Sequence, residues 1–380
     1  MGNKIALGYS ERVPPEPGAD LILTIDRYMQ RMAERELDAT IEKHEASGGT
    51  IIIMDPRTGA ILAMASRPSF DLTQLDLSDE SKMDLYRNRA ITDLYEPGSV
   101  FKTITMAGAL DAGLVSPESV YVDEGVAHIS GWTIVNWDFG AHGTQTATQI
   151  LVKSLNTGAV WLSELLEPNR FYDYVYRFGF GQPTGIGLSG EAPGQVRTPT
   201  QDDWAEVDMA TNSFGQGVNV TPLQLIAAIS AIANDGKLVQ PYVVQEIRRG
   251  DERQVFQPLE VRQVVTAEAA NTLTQMMNAV VDGITTVYAI SVPGYRVAGK
   301  TGTASISVPG GYKEDAYIAS FAGFVPSDDP VLAMLIKIDE PKDVPWGSAV
   351  CAPVFARMAQ SILNYLKVPP APEALVHESS

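Results

Sequence analysis

Ser99 and Lys102 stand one helical turn apart, so a hydroxyl and an amine share a face and lie within reach of each other. A nucleophile and its base can come from that single turn. The preceding Glu96-Pro97-Gly98 reads as a turn into a helix start, which places Ser99 near the positive end of a helix dipole, where developing negative charge is favoured. The stretch 103–110 is apolar on nearly every face, the mark of a buried helix. Burial takes the Lys102 ammonium out of water and favours the neutral amine, which can accept a serine proton. A Ser-x-x-Lys spacing also arises by chance about once in a chain of this length, so its surroundings must decide.

Two further short motifs follow in order. Ser154-Leu155-Asn156 falls inside a helical stretch expected over 146–166, and Lys300-Thr301-Gly302-Thr303 at the end of a strand expected over 295–301. Either alone is weak, the first readable as helix polar positions and the second as a strand terminus. Their co-occurrence in this order is far less probable by chance.

Composition narrows the alternatives. The chain has 380 residues, 45% of them hydrophobic, enough to bury a large core. A formal charge of -18 argues against nucleic acid or an anionic membrane surface as the main partner, while leaving room for a local basic cleft. Cys351 is the single cysteine, so no internal disulfide forms, and no Cys/His cluster has metal-ligand spacing. The four histidines, His44, His128, His142 and His377, are scattered, which removes the usual Ser-His pairing and strengthens the case for lysine. There is no apolar run of about 18 residues and no signal-peptide pattern at the start. The expectation is a soluble chain, either cytosolic or an extracytoplasmic piece whose anchor lies outside the sequence.

The elements that must position these residues are legible in outline. Residues 1–18, with Pro14, Pro15 and Pro17, read as an extended lead-in or linker remnant. Thr24 or Asp26 caps a helix to about His44 with Tyr28, Met29, Met32 and Leu37 on its apolar stripe. Apolar, β-branched runs at 49–54 and 60–65 flank a turn, and a matching pair at 317–325 and 331–338 follows the strand at 295–301. Short connections favour antiparallel neighbours, so the fold class is α+β: a five-stranded, mostly antiparallel sheet from about 49–65 and 295–338, flanked by helices. Residues 66–290 form a largely helical insertion with helices at Ser99, 146–166, 222–234 and 267–281, and short rim strands over 237–264. A helix over 347–366 closes the domain, taken as 19–368, and 369–380 is a flexible tail.

On these motifs the chain resembles the transpeptidase domain of class B penicillin-binding proteins, over about 14–366. The resemblance also rests on Leu21-Thr24-Ile25-Asp26 with Gln30, on Thr58-Gly59-Ala60-Ile61-Leu62-Ala63-Met64, and on Asn88-Arg89-Ala90 leading to Tyr95-Glu96-Pro97-Gly98. Ser213-Phe214-Gly215-Gln216-Gly217 with Thr221-Pro222-Leu223-Gln224-Leu225 resembles a stretch that shapes the cleft. The family commonly has Gly-Thr-Gly before the third strand, where this chain reads Asp282-Gly283-Ile284-Thr285-Thr286, so a different local turn is expected.

The resemblance implies the fold shared by penicillin-binding proteins and serine β-lactamases, no metal and no organic cofactor. It makes Ser99 the acylated nucleophile, Lys102 its general base, Ser154 the proton relay to the leaving amine, and Asn156 the holder of the substrate amide. Lys300 supports the proton network, and Thr301, Gly302 and Thr303 form the substrate-binding strand, the two threonine hydroxyls binding a terminal carboxylate. Acyl transfer also needs an oxyanion site, for which the backbone N–H groups of Ser99 and Thr303 are the candidates.

The implied activity is a peptidoglycan D,D-transpeptidase acting on stem peptides that end in D-Ala-D-Ala, inhibited covalently by β-lactams. A carboxypeptidase side activity would be its hydrolytic counterpart. The resemblance places the full-length protein on the extracytoplasmic face of the bacterial membrane with a glycosyltransferase and divisome or elongasome partners. Division-type features outweigh elongation-type ones in 213–217 and 319–324. A serine β-lactamase is one alternative, though Glu164 and Glu167 read as helix-face residues outside a deacylating Glu-x-x-Leu-Asn pattern. A non-catalytic β-lactam sensor is another.

Overall fold

The computed structural model describes residues 18–288, 290–308 and 310–371. The lead-in assigned to 1–18 and the tail assigned to 369–380 therefore lie almost wholly outside the described residues.

Asp26, not Thr24, starts the first helix: its Oδ1 accepts the backbone N–H groups of Tyr28 and Met29 at 2.8 and 3.0 Å, satisfying two orphan donors of α1 (Arg27–Lys43). Met29, Met32, Ala33 and Leu37 are buried on one stripe. Tyr28, expected there, is exposed instead and stacks on Tyr365 with ring centroids 4.5 Å apart. One residue is about 100° of helix, enough to turn Tyr28 off the face that Met29 buries.

The sheet has five strands: β1 (Gly48–Met54), β2 (Ile61–Arg67), β3 (Ala298–Val308), β4 (Gly311–Val325) and β5 (Leu332–Asp339). Their order is β3-β4-β5-β1-β2, and every pairing is antiparallel. All seven residues of β1 are buried because both faces of the sheet are covered. Alternation decides which core each side chain joins. Ile51 and Ile53 pack with Leu37, Ile336 and Phe355, whereas Ile52 and Met54 pack with Leu335, Phe324 and Ile229. Each such side chain contributes about 1.5–3 kcal/mol by burial.

β3 begins later than expected and runs on beyond the Lys300 motif. Tyr295 is held in a turn, its N–H donating to Val292 O at 2.9 Å and its hydroxyl to Val368 O at 2.6 Å. The strand continues because Ser305 pairs with Tyr317, and Val308 with Gly311. Lys300 to Thr303 consequently occupy the first half of an edge strand, not its end.

On the inner face lie α2 (Lys102–Asp111), entered through a 3-10 turn Gly98–Phe101, then α3 (Ala147–Val152), α4 (Asn156–Arg177), α5 (Pro222–Ala233) and α6 (Ala267–Tyr288). The helix expected over 146–166 is two helices, broken at Ser154, whose φ of +56° is left-handed. α6 passes through 282–286 without a turn, and the hydroxyls of Thr285 and Thr286 donate back to Val281 O and Gly283 O. α7 (Ala352–Leu366) closes the outer face after a short helix, Gly347–Val350, and a break at Cys351. At the rim, Asp20–Leu23, which carried no strand signal in the sequence, pairs with Val244–Arg249, one of the short strands expected over 237–264. No helix among the described residues is long and apolar enough to cross a membrane.

Candidate active site

Three segments meet at one end of the sheet. Ser99 sits in the 3-10 turn ahead of α2, Ser154 and Asn156 at the break between α3 and α4, and Lys300 to Thr303 on β3. Close approach of the first and third depends on glycine. A Cβ on Gly98, whose φ is +56°, would come within 3.0 Å of Thr303 O, and one on Gly302 within 2.9 Å of Pro97 O. The 213–217 stretch buttresses the same turn, with Gly98 N–H donating to Gly215 O at 3.1 Å.

Lys102 is completely buried, and its Nζ has four oxygen neighbours: Ser154 O at 2.6 Å, Asn156 Oδ1 at 2.8 Å, Ser99 Oγ at 3.1 Å and Ser154 Oγ at 3.3 Å. Two of these are carbonyl oxygens that only accept, and they are the nearest. A neutral amine has two N–H donors and one lone pair. Giving the donors to the carbonyls leaves the lone pair for the Ser99 hydroxyl. Burial, reinforced by the charge of Lys300, holds the Lys102 amine well below its ordinary value, which favours that neutral form.

Lys300 is likewise buried and is pushed down to about 7 by desolvation. Its Nζ donates to Ser154 Oγ at 3.1 Å and to Thr301 O at 3.2 Å. Ser154 Oγ thus lies between the two amines. Thr301 and Thr303 alternate on one face of β3, both half-buried, and Gly347 N–H reaches Thr303 Oγ1 at 3.4 Å. All eight residues singled out from the sequence are therefore gathered in one cleft, around a hydrogen-bonded chain from Ser99 to Lys300.

Several neighbours carried no usable sequence signal. Trp137 and Trp346, from distant segments, meet edge to face at 5.5 Å beside the cleft, and Trp137 Nε1 donates to Lys153 O at 3.0 Å. Glu96, which the sequence placed only in the turn before Ser99, accepts Gly217 N–H at 3.0 Å and the Tyr312 hydroxyl at 3.2 Å, and burial pushes its carboxyl up. Asn136 and Asp123 are buried behind Asn156. An aromatic or amide in a polar loop looks ordinary until its partner is known. Glu164 is exposed on α4, whereas Glu167, expected on a helix face, is exposed at a break within α4 just before Pro168, where its φ of +60° and ψ of 158° are not helical.

The profile described as "Penicillin binding protein transpeptidase domain" matches residues 49–360. The chain is 38% identical over 376 residues to stage V sporulation protein D of Bacillus subtilis, covering 97% of this chain and 57% of that protein. It is 32% identical over 357 residues to a probable peptidoglycan D,D-transpeptidase, PenA, of Neisseria flavescens, covering 94% and 85%. Among solved structures, penicillin binding protein 3 of Mycobacterium tuberculosis in complex with aztreonam superposes with a TM-score of 0.86 at 33% identity, over 96% of this chain and 83% of that one. The chain spans little more than half the length of the sporulation protein.

Proposed function

The chain belongs to the transpeptidase family of class B penicillin-binding proteins, and from that premise we propose that it is a peptidoglycan D,D-transpeptidase working through an acyl-enzyme on Ser99. The observation that carries this reading is the unbroken chain Ser99 Oγ, Lys102 Nζ, Ser154 Oγ, Lys300 Nζ, with links of 3.1, 3.3 and 3.1 Å. The donor is a stem peptide ending in D-Ala-D-Ala. Residues 19–368 act as one catalytic domain, in a division-type protein whose full length stands on the extracytoplasmic face beside a glycosyltransferase.

Ser99 Oγ attacks the penultimate carbonyl carbon while its proton passes to the free lone pair of Lys102. The lysine then has a third N–H, and Ser154 Oγ is the remaining oxygen within reach to receive it. Ser154 passes a proton to the departing D-Ala nitrogen, with Lys300 holding its oxygen on the far side. Backbone N–H groups of Ser99 and Thr303 receive the oxyanion. The first belongs to a helix start and the second to an edge strand, both places where donors are left free. Asn156 orients the substrate amide, and Thr301 and Thr303 flank the site for its carboxylate, with Gly302 keeping the strand close to Ser99. An amine acceptor then takes the acyl group. Water in its place gives the carboxypeptidase side reaction.

A fluorescent penicillin labels the protein covalently, and Ser99→Ala removes the label. Release of D-Ala from a pentapeptide stem rises when an amine acceptor is supplied. Labelling that survives Ser99→Ala overturns the nucleophile assignment, and rapid turnover of the β-lactam in place of a lasting adduct favours the hydrolase.

A further inference from the structure

The turn that presents Ser154 and Asn156 is not self-supporting. Ser154 is a non-glycine residue at φ +56°, a conformation that costs about 1–2 kcal/mol. The residue before α4 is Leu155, which has no side-chain oxygen to cap the new helix. The first N–H groups of α4 are satisfied from another segment. Asn136 Oδ1 accepts the N–H of Asn156 at 2.9 Å and that of Thr157 at 3.3 Å.

The Asn136 amide is oriented without ambiguity, because its Nδ2 meets only acceptors: Asp123 Oδ2 at 2.9 Å, Asp123 Oδ1 at 3.1 Å and Gly140 O at 3.1 Å. Asp123 in turn accepts the Thr157 hydroxyl at 2.7 Å, Gly125 N–H at 3.0 Å and His142 N–H at 3.1 Å. Burial alone would push its carboxyl up, but these donors and the Asn136 amide outweigh burial and hold it below the ordinary range. Asn136 is fully buried and Asp123 almost so. A buried carboxylate that grips both the cap and the first turn of the helix leaves that turn little freedom.

We propose that Asp123 and Asn136 form a buried positioning pair for the acyl-transfer site, in which Asn136 caps α4 from a distance and Asp123 locks the cap. The pair holds Ser154 Oγ between the two lysines and Asn156 Oδ1 on Lys102. Neither residue touches substrate. The role rests on the reading of Ser99, Ser154 and Asn156 given above. Thr157 joins the pair through its hydroxyl, and Trp137, next to Asn136, fixes the Lys153 carbonyl on the other side of the break.

The test is the rate of acylation of the full chain by a chromogenic cephalosporin, at several concentrations, with melting temperatures measured in parallel. Asn136→Ala lowers the limiting acylation rate at least about tenfold, and the half-saturating concentration moves less than about threefold. Asn136→Asp sets two carboxylates face to face and is equally slow. The exchange Asp123→Asn with Asn136→Asp keeps one carboxyl and one amide and still offers an acceptor to α4, but it sets an acceptor against Gly140 O and an amide donor against Gly125 or His142 N–H, so it acylates only about threefold faster than Asn136→Ala. A wild-type rate in Asn136→Ala overturns the proposal. So does an exchanged pair that melts like wild type yet acylates no faster than Asn136→Ala. If Asn136→Ala fails to fold, the exchanged pair is compared with Asn136→Asp and decides in the same way. Ser99→Ala separates the two readings: a persisting label defeats the site assignment, whereas loss of label together with a wild-type rate in Asn136→Ala defeats only the pair.

Discussion

Two lysines on strands of the same sheet show what a counter-ion decides. Lys337 on β5 is buried, yet its Nζ is paired with Asp339 and lies 5.0 Å from the centre of the Tyr95 ring. Lys300 on β3 is buried to a similar depth, and its partners are a serine hydroxyl and the carbonyl and hydroxyl of Thr301. Lys102 resembles Lys300 in this respect. Among the described residues, neither cleft lysine has a carboxylate in ion-pairing contact. A carboxylate gives a buried ammonium its counter-charge and ties it into the fold, whereas burial among neutral oxygens lowers the pKa of an amine. One lysine of the sheet is thus tied into an ion pair, while another at its edge is left to hydrogen-bond Ser154.

The most direct way to break the contrast is to give Lys102 a counter-ion. Asn156→Asp puts a carboxylate where an amide oxygen now sits 2.8 Å from Nζ. An opposite charge so close raises an amine by about 1–3 pKa units, so acylation at neutral pH falls about a hundredfold and recovers in part as pH rises. A rate and pH profile unchanged from wild type would show that Lys102 is not the base.

Lys300→Met has a smaller effect on rate, about tenfold, with a distinctive pH signature. On the proposed mechanism the expected acid limb of acylation follows protonation of Lys102, and the expected alkaline limb follows loss of the proton from Lys300, which is pushed down to about 7. Removing Lys300 removes the repulsion that helps depress Lys102, so the acid limb moves to higher pH and the alkaline limb disappears. Stability changes in the opposite sense. The folded value of Lys300 is about 7 against an ordinary 10.5, so between them the unfolded chain binds the extra proton and wild-type stability rises with pH. Lys300→Met lacks that slope and melts a few degrees higher than wild type at pH 7. Thermal melts from pH 6 to 9 measure both.

Lys337→Met tests the structural side of the comparison. It leaves acylation within about twofold of wild type and costs about 1–2 kcal/mol of stability, because Asp339 loses its partner while keeping some access to solvent. A denaturant midpoint measures the loss. A large fall in acylation would show that β5 communicates with the cleft and that the two lysines are not independent.

Much of the sheet was readable because its strands carry local signals. Both hairpins alternate or run apolar around recognisable turns, and each expected strand core falls within an observed strand except at 295–297, where the Tyr295 turn intervenes. The Ser154 break was hidden. A helix-like run of polar and apolar residues continues through it, and the reasons for the break, the Lys102 amine on the Ser154 carbonyl and the Asn136 cap, come from segments far away in the chain. Trp137 and Trp346 were hidden for the same reason.

What the sequence determined by itself was the pairing of Ser99 with Lys102, since three residues of helix set their separation whatever surrounds them. The order of the motifs along the chain was equally plain. Only the tertiary structure decided that Lys102 and Lys300 are buried together among neutral oxygens, that Ser154 stands between them, and that a carboxylate is held one residue further back, behind Asn136. Helical and strand periods are local properties of the backbone. The charge state of a lysine depends on which faces of distant segments come to rest against it.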